Sequence, residues 1–161
     1  VHSFPTRRSS DLRRKSFAVR TARETLWLPF ARLDVVPTRA DPVVEARVDP
    51  DLGREGFVYA LASGRTGTVH VDQVLEYNQD PEYMRDLMLY RLTIEAQKRL
   101  VASPLSKREL IRRLGTSATQ FYRLLDQTNY SKSLDQMLGL LHVLDCEVEM
   151  TVRDRLAWSR K

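Results

Sequence analysis

The chain has 161 residues, enough for one domain or two small ones. Hydrophobic residues make up 42% of it and charged residues 29%, which is ordinary for a globular protein. No apolar run approaches the roughly 20 residues that span a bilayer, and no signal-peptide pattern is recognisable, so we expect a cytoplasmic location. The single cysteine, Cys146, excludes an internal disulfide framework and a multi-cysteine zinc site.

The net charge of +5 is distributed unevenly. Between Asp41 and Leu89 there are four basic and ten acidic residues, whereas between Gln97 and Lys132 there are eight basic and two acidic residues. Such a concentration of Lys and Arg is what a protein needs to displace counterions from phosphates. The alternative, an ordinary solvated charged face, remains open from the sequence.

The first residues resemble translated cloning DNA. His2 to Leu12 reads as the translation of a common sequencing-library adapter, so we interpret residues 1–12 as an adapter-derived artefact and exclude them from fold prediction. A basic DNA-binding arm at this position is the less favoured alternative. Residues 13–32 form a poorly defined basic segment, in which Phe17, Ala22, Leu26 and Leu28 show weak helical periodicity.

Residues 33–79 are predicted to form a small β-domain. Strands are indicated over Pro42–Val48, Gly56–Ala62 and Gly67–Val74, with a turn cluster at residues 49–53 and a tight turn at Ser63-Gly64. We expect a small antiparallel sheet of three or four strands.

Residues 80–103 are predicted to form a connecting helix. Asp80 is suited to cap its start, with Pro81 at the first helical position, and the helix should run to about Ala102. Apolar residues cover much more than one face of this predicted helix. This pattern indicates a helix that lies between two layers or in a dimer interface.

Residues 104–152 are predicted to form a helix-turn-helix domain. In the segment LSKRELIRRLGTSATQFYRLLDQTN, Ser106 and Glu109 form a capping-box pattern and Gly115 suits a left-handed helix end. Ser117 is suited to start a second helix with Phe121 on its inner face. Two short helices joined this way can present the second helix to a DNA major groove, although a plain helical hairpin in a helical core has the same pattern.

This segment resembles the helix-turn-helix of the lambda-repressor-like (XRE) class. The positions that match the pattern of that class include Leu105, Ser106, Glu109, Leu110, Ile111, Leu114, Gly115, Ser117, Thr119, Phe121, Arg123, Leu124 and Leu125. The sequence that follows is similar to the closing helix and terminal strand of antitoxin-type members. The resemblance covers about the last third of the chain and departs at Asp126–Tyr130, where many members have a shorter turn.

The closing elements are a helix and a strand. Ser133 should cap a helix that runs to Leu144, and its inward residues should be Leu134, Met137, Leu138, Leu141 and Leu144. Glu147 to Val152 alternates as a terminal strand, which must pair with the N-terminal sheet or with the same strand of a second subunit. The tail, residues 153–161, is predicted to be frayed. The whole chain is thus expected to be an α+β protein: a small N-terminal antiparallel β-sheet, a connecting helix and a C-terminal helical domain closed by a strand.

Helical geometry and the resemblance together imply a set of DNA contacts. Base edges would be read by Thr119, Gln120, Tyr122 and Arg123. Phosphates would be contacted by Ser106, Lys107, Ser117, Tyr130 and Lys132.

Catalytic patterns are weak in this sequence. His70-Val71-Asp72 would place an imidazole and a carboxylate on one face of a strand, but no third ligand has a metal-site spacing, so a surface pair is favoured. Glycine-rich phosphate loops and nucleophile–base arrangements are not recognisable. We therefore expect a non-enzyme without a cofactor or metal.

Two functions remain open. The first is a sequence-specific transcriptional regulator, a repressor or antitoxin-like protein, which binds double-stranded DNA as a homodimer. The second is a protein-interaction module in which the β-region and the apolar helix bind a partner, such as a toxin. Antitoxins combine both functions, so the two are compatible.

Overall fold

The computed structural model describes residues 10–11, 15–53 and 55–154. In these ranges the strands are β1 (Ser10–Asp11), β2 (Ser16–Arg20), β3 (Thr25–Pro29), β4 (Val43–Val48), β5 (Gly56–Leu61) and β6 (Thr66–His70). The α-helices are α1 (Val71–Tyr77), α2 (Pro81–Ala102), α3 (Lys107–Leu114), α4 (Ala118–Leu125) and α5 (Leu134–Val143). The predicted α+β class is confirmed. None of the helices in the described ranges has the length and hydropathy needed to cross a lipid bilayer.

The chain divides into two compact units, and the boundary falls inside α2 between Met84 and Arg85. The first unit contains two antiparallel three-stranded sheets with strand orders β1-β2-β3 and β4-β5-β6. Alternate residues of both sheets enter one core, where the Phe17 ring lies 5.0 Å from the Phe57 ring and 5.4 Å from the Tyr59 ring. Burial of this shared apolar surface holds the two sheets together.

Two sequence-based expectations are wrong in this unit. The segment 13–32 has no α-helix among its described residues, because its apolar residues bury with the period of two that strands require: Phe17 and Val19 in β2, then Leu26 and Leu28 in β3. Residues 71–74 are helical rather than extended. His70 caps α1 by accepting the Asp72 N–H at 3.3 Å, and this local bond ends β6.

Other predictions in this region are confirmed. β4 occupies most of the predicted strand Pro42–Val48, and the turn cluster contains a short 3₁₀ helix, Pro50–Leu52, that ends at left-handed Gly53. Gly64 has a φ of 88° and its N–H donates to the Leu61 carbonyl at 2.9 Å, which closes the turn between β5 and β6.

Tyr59 is the largest fully buried side chain of the first unit. Its hydroxyl donates to the Val35 carbonyl at 2.8 Å and accepts the Val35 N–H at 3.3 Å, so the loop after β3 is fixed to β5. Its ring lies against the backbone of Gly67 in β6, where there is no room for a Cβ atom. This packing requires glycine at position 67.

The second unit is a helical core that continues from α2. Asp80 caps α2 as predicted, with its carboxylate accepting the Tyr83 N–H at 3.0 Å, and α2 ends at Ala102 as expected. The buried residues that form the core are Leu89, Ala96, Leu110, Phe121, Leu124, Met137, Leu140 and Leu141. They come from α2, α3, α4 and α5, which shows why the two short helices α3 and α4 are stable here: each adds one buried face to a shared core.

The end of this unit differs from expectation in two places. Residues 147–152 form no strand within this chain and are exposed, and the expected pairing with the same strand of a second subunit stays a prediction. Ser133 caps α5 as predicted, and the helix ends at Val143. The buried face differs from the expected one: Leu140 is buried, whereas Leu134 and Leu138 are 42% and 38% exposed.

We expect Gly67→Ala to lower the free energy of unfolding by about 1–3 kcal/mol, because the added methyl group overlaps the buried Tyr59 ring. Gly139→Ala is the comparison variant: its methyl group would lie 3.5 Å from Leu114 in ordinary contact, and alanine should stabilise the interior of α5 by up to about 1 kcal/mol. Urea denaturation of the full chain measures both. A Gly67→Ala variant as stable as the unmodified protein would contradict the packing described for Tyr59.

Candidate nucleic-acid interface

The link between α3 and α4 is a tight turn built on Gly115. The Ser106 hydroxyl accepts the Glu109 N–H at 3.2 Å at the start of α3. Gly115 has a φ of 69°, and the Thr116 N–H returns to the Ile111 carbonyl at 3.3 Å, so the end of α3 is closed as in a Schellman motif. The Ser117 hydroxyl then accepts the Gln120 N–H at 3.1 Å and starts α4. The predicted caps and the left-handed glycine are confirmed.

The two faces of α4 differ in exposure as well as in chemistry. Phe121 and Leu124 are buried in the helical core. Thr119, Tyr122 and Arg123 are exposed and share one face of the helix at spacings of three and four residues. Gln120 is half-buried at the edge of this face. All four residues predicted to read base edges are therefore accessible to solvent at least in part.

The start of α3 borders the exposed face of α4. The Lys107 ammonium lies 5.6 Å from the centre of the Tyr122 ring, a cation–π distance, and Tyr122 is 52% exposed. This contact places a positive charge beside the side chains of α4 that face solvent. The neighbouring Arg108 is also exposed and forms no ion pair with the residues that the structure describes. Sequence reasoning counted Arg108 among the basic residues but did not single it out.

Glu109 neutralises part of the charge on α3. Its carboxylate accepts from Arg112 at 2.6 Å and from the Arg113 Nε at 2.9 Å. These bonds hold the pKa of Glu109 at about 2, against 4.5 for an ordinary glutamate. The expected capping box is therefore only half formed, because the Glu109 side chain binds two arginines and not the Ser106 N–H.

The carboxyl end of α4 is held by side chains from outside the helix. The Lys132 ammonium donates to the carbonyls of Leu124 at 2.9 Å and Asp126 at 2.8 Å. The Gln97 amide of α2 donates to the Leu125 carbonyl at 2.7 Å. These donors satisfy carbonyls that the end of a helix leaves without partners. The positive charge of Lys132 also stabilises the negative end of the α4 dipole. These bonds fix the end of α4 relative to the core of its own unit.

This geometry corrects one predicted phosphate contact. Lys132 is only 6% exposed, and burial lowers the pKa of its ammonium while the nearby Asp126 carboxylate partly offsets that effect. An ammonium that already donates to two carbonyls inside the unit cannot reach a phosphate. The sequence pattern showed a lysine in a basic loop but not the direction of its side chain.

The other predicted phosphate contacts are exposed. Ser106 and Ser117 use their hydroxyl oxygens as acceptors for the caps, so each hydroxyl hydrogen is still able to donate to a phosphate oxygen. Lys107 is exposed and Tyr130 is 43% exposed in the loop after α4. Four of the five predicted phosphate contacts thus lie where solvent reaches them.

His70 in the first unit is a helix cap. Its Nδ1 accepts the Asp72 N–H at 3.3 Å and lies 3.6 Å from the Asp72 carboxylate, and its Nε2 lies 3.9 Å from Glu55. Among the described residues, no group of three or more His, Cys, Asp or Glu side chains is placed to hold a metal ion.

Comparisons of this chain with protein-family models, with curated proteins and with solved structures find no match.

We expect acid to weaken the folded state in part through Glu109. Because its pKa in the folded chain is about 2 and the ordinary value is 4.5, the unfolded chain binds more protons between these pH values. The stabilisation is complete above pH 4.5 and is lost as the pH falls through about 2. The urea midpoint should therefore fall more between pH 7 and pH 3 in the unmodified protein than in Glu109→Gln. Glu45→Gln, a change at an exposed carboxylate of β4, is the control. Equal pH dependence in the unmodified protein and Glu109→Gln would contradict the assigned ion pairs.

Proposed function

We propose that this protein is a sequence-specific DNA-binding transcriptional regulator of the cytoplasm, a repressor or antitoxin-like protein, and that α4 is its recognition helix. The observation that carries the proposal is the orientation of α4. Its apolar face, Phe121 and Leu124, is buried, while its polar face with Thr119 and Arg123 is open to solvent. A helix held in this way by a partner helix and a glycine turn is the part that enters a major groove in helix-turn-helix proteins.

The charge around α4 supports the same proposal. Lys107 lies against Tyr122 at the border of α3 and α4, and exposed Arg108 and Arg123 form no ion pairs with the described residues. Free cations of this kind can displace the counterions of a phosphate backbone. The free N–H groups at the start of α4, with the positive end of its dipole, favour a phosphate at Ser117.

The residues on the open face match the chemistry of base edges. A glutamine amide can bind adenine through two hydrogen bonds, and an arginine can bind guanine in the same way. Gln120 and Arg123 offer these groups from neighbouring turns of α4, and the Thr119 methyl and hydroxyl can meet a thymine methyl or a base edge. We assign base reading to these residues and to Tyr122, and phosphate contacts to Ser106, Lys107, Ser117 and Tyr130.

We expect Thr119→Ala and Gln120→Ala each to weaken specific binding by about 1–3 kcal/mol, or roughly 5- to 150-fold, because each removes a contact with a base edge. A duplex enriched from a random library by the unmodified protein serves as the specific probe, and a scrambled duplex of equal length serves as the non-specific probe. The affinity of each variant for the scrambled duplex should stay within about twofold of that of the unmodified protein, because neither substitution alters the charge. Gln127→Ala, at an exposed glutamine outside the helix, is the matched control.

If the unmodified protein enriches no duplex from the library, the proposal that α4 recognises a specific DNA sequence is contradicted. Recovery of a second polypeptide with the full chain would then favour the interaction-module alternative.

The two lysines near α4 should respond differently to salt. Lys107→Ala should lower the slope of log affinity against log salt concentration by about 1, because one phosphate contact is lost. Lys132→Met should leave the slope unchanged and lower the free energy of unfolding by about 1–3 kcal/mol, since the carbonyls of Leu124 and Asp126 lose their buried donor. Titrations at four or more salt concentrations measure the slopes. An equal decrease for both variants would show that Lys132 reaches DNA.

A further inference from the structure

The end of α4 is held through its backbone carbonyls. Four consecutive carbonyls there accept hydrogen bonds from side chains outside the helix, namely those of Arg123, Leu124, Leu125 and Asp126. The Asn129 amide donates to the first at 3.2 Å, the Lys132 ammonium to the second and fourth at 2.9 and 2.8 Å, and the Gln97 amide to the third at 2.7 Å. We name Gln97, Asn129 and Lys132 the α4 clamp. It provides a side-chain donor for each carbonyl that the end of a helix leaves without a partner in the next turn.

Asn129 also orders the loop that follows α4. Its Oδ1 accepts the Ser131 N–H at 3.0 Å and the Ser131 hydroxyl at 2.6 Å, while its Nδ2 donates to the Arg123 carbonyl. Asp126 binds Thr128 in the same way, through the N–H at 2.9 Å and the hydroxyl at 2.7 Å. The loop that departs from the pattern of the XRE class is therefore folded by its own side chains, and Asn129 fastens it to α4.

Gln97 connects the end of α4 to the buried part of α2. Thr93 and Ala96, which precede it on α2 by one turn and by one residue, are fully buried. The bond from Gln97 to the Leu125 carbonyl joins residues 28 positions apart in the chain. Because burial fixes this part of α2, the bond also fixes where α4 ends.

We propose that the α4 clamp sets the position of α4 for base reading, and that Gln97 and Asn129 are positioning residues of the recognition helix. This inference rests on the proposed function of α4. Gln120 and Arg123, to which we assign base reading, lie on the last two turns of α4, and Asn129 binds the carbonyl of Arg123 itself.

Base contacts and phosphate contacts differ in the displacement that they tolerate. A bidentate contact with a base needs two hydrogen bonds of about 2.9 Å at once, so the groups that make it have to be held within about 0.5 Å of the right place. The attraction between a cation and a phosphate falls only in inverse proportion to their distance. Loss of the clamp should therefore weaken binding to the specific duplex and leave binding to other duplexes almost unchanged.

The first test replaces Gln97 with methionine, which has a similar length and cannot donate to the Leu125 carbonyl. Gln97→Met should weaken binding to the enriched duplex about 3- to 10-fold, the effect of one lost hydrogen bond, and change the affinity for the scrambled duplex by less than about twofold. Urea denaturation of the full chain establishes that the variant is folded under the conditions of the binding assay. A variant that is less stable but still folded, with α4 in its original position, would keep both affinities.

Asn129→Asp is the second variant. The carboxylate keeps the acceptor for Ser131 and removes the donor to the Arg123 carbonyl. It also adds a negative charge, so Gln127→Glu, the same change at an exposed position of the same loop, is the matched control. The ratio of specific to non-specific affinity should fall about 3- to 10-fold in Asn129→Asp and stay within about twofold of the original value in Gln127→Glu.

Hydrogen exchange without DNA separates positioning from stability. The backbone amides of α4 should exchange about threefold faster or more in Gln97→Met, because the end of the helix opens more often. Faster exchange with an unchanged affinity ratio would show that the clamp only stabilises the helix, and would overturn the proposal. Equal ratios in Asn129→Asp and Gln127→Glu would also overturn it. These results leave the proposed function intact as long as the unmodified protein binds its duplex specifically, whereas the absence of any specific binding by the unmodified protein would contradict the proposed function and this inference together.

Discussion

Gly115 takes a left-handed conformation between α3 and α4, and the geometry of the candidate interface depends on it. With a side chain at this position the backbone would be strained by about 1 kcal/mol, so glycine is the residue that allows α3 to close and α4 to start two residues later. Because the turn is short, Leu110 of α3 and Phe121 of α4 enter one core. The side of α4 that carries Thr119 and Tyr122 then has to face away from that core.

The basic residues of this region serve two different purposes. The Lys132 ammonium donates to carbonyls at the end of α4, and Arg112 and Arg113 donate to the Glu109 carboxylate. These cations hold the helices in place or are locally neutralised. Lys107 and Arg108 at the start of α3 and Arg123 on α4 stay exposed and form no ion pair with the described residues, so these three are available to phosphates. A count of charge along the chain overstates the number of unpaired cations, because Glu109 neutralises part of the charge of Arg112 and Arg113 and burial removes Lys132 from solvent.

The first unit shows how far periodicity can predict a fold. Alternation in β4 and β5 and the Ser63-Gly64 turn predicted one hairpin sheet, and that sheet is present. The sheet of β2 and β3 was missed because four apolar residues spread over twelve positions fit helical spacing almost as well as strand spacing. The pairing of β2 with β3 decides between the two, and the shared core with Phe57 and Tyr59 stabilises that choice. Likewise, the cap that turns residues 71–74 into a helix depends on the direction of the His70 ring.

The sequence by itself determined the elements whose causes are local: the caps at Asp80, Ser106, Ser117 and Ser133, the left-handed Gly115, and the identity of the polar residues on α4. Each of these follows from bonds or steric limits within about four residues along the chain. Tertiary structure alone decided which side chains those elements bury, because that depends on contacts between residues distant in sequence. Lys132 points inward, Leu140 rather than Leu138 is buried in the core, and residues 147–152 have no strand partner among the described residues of their own unit.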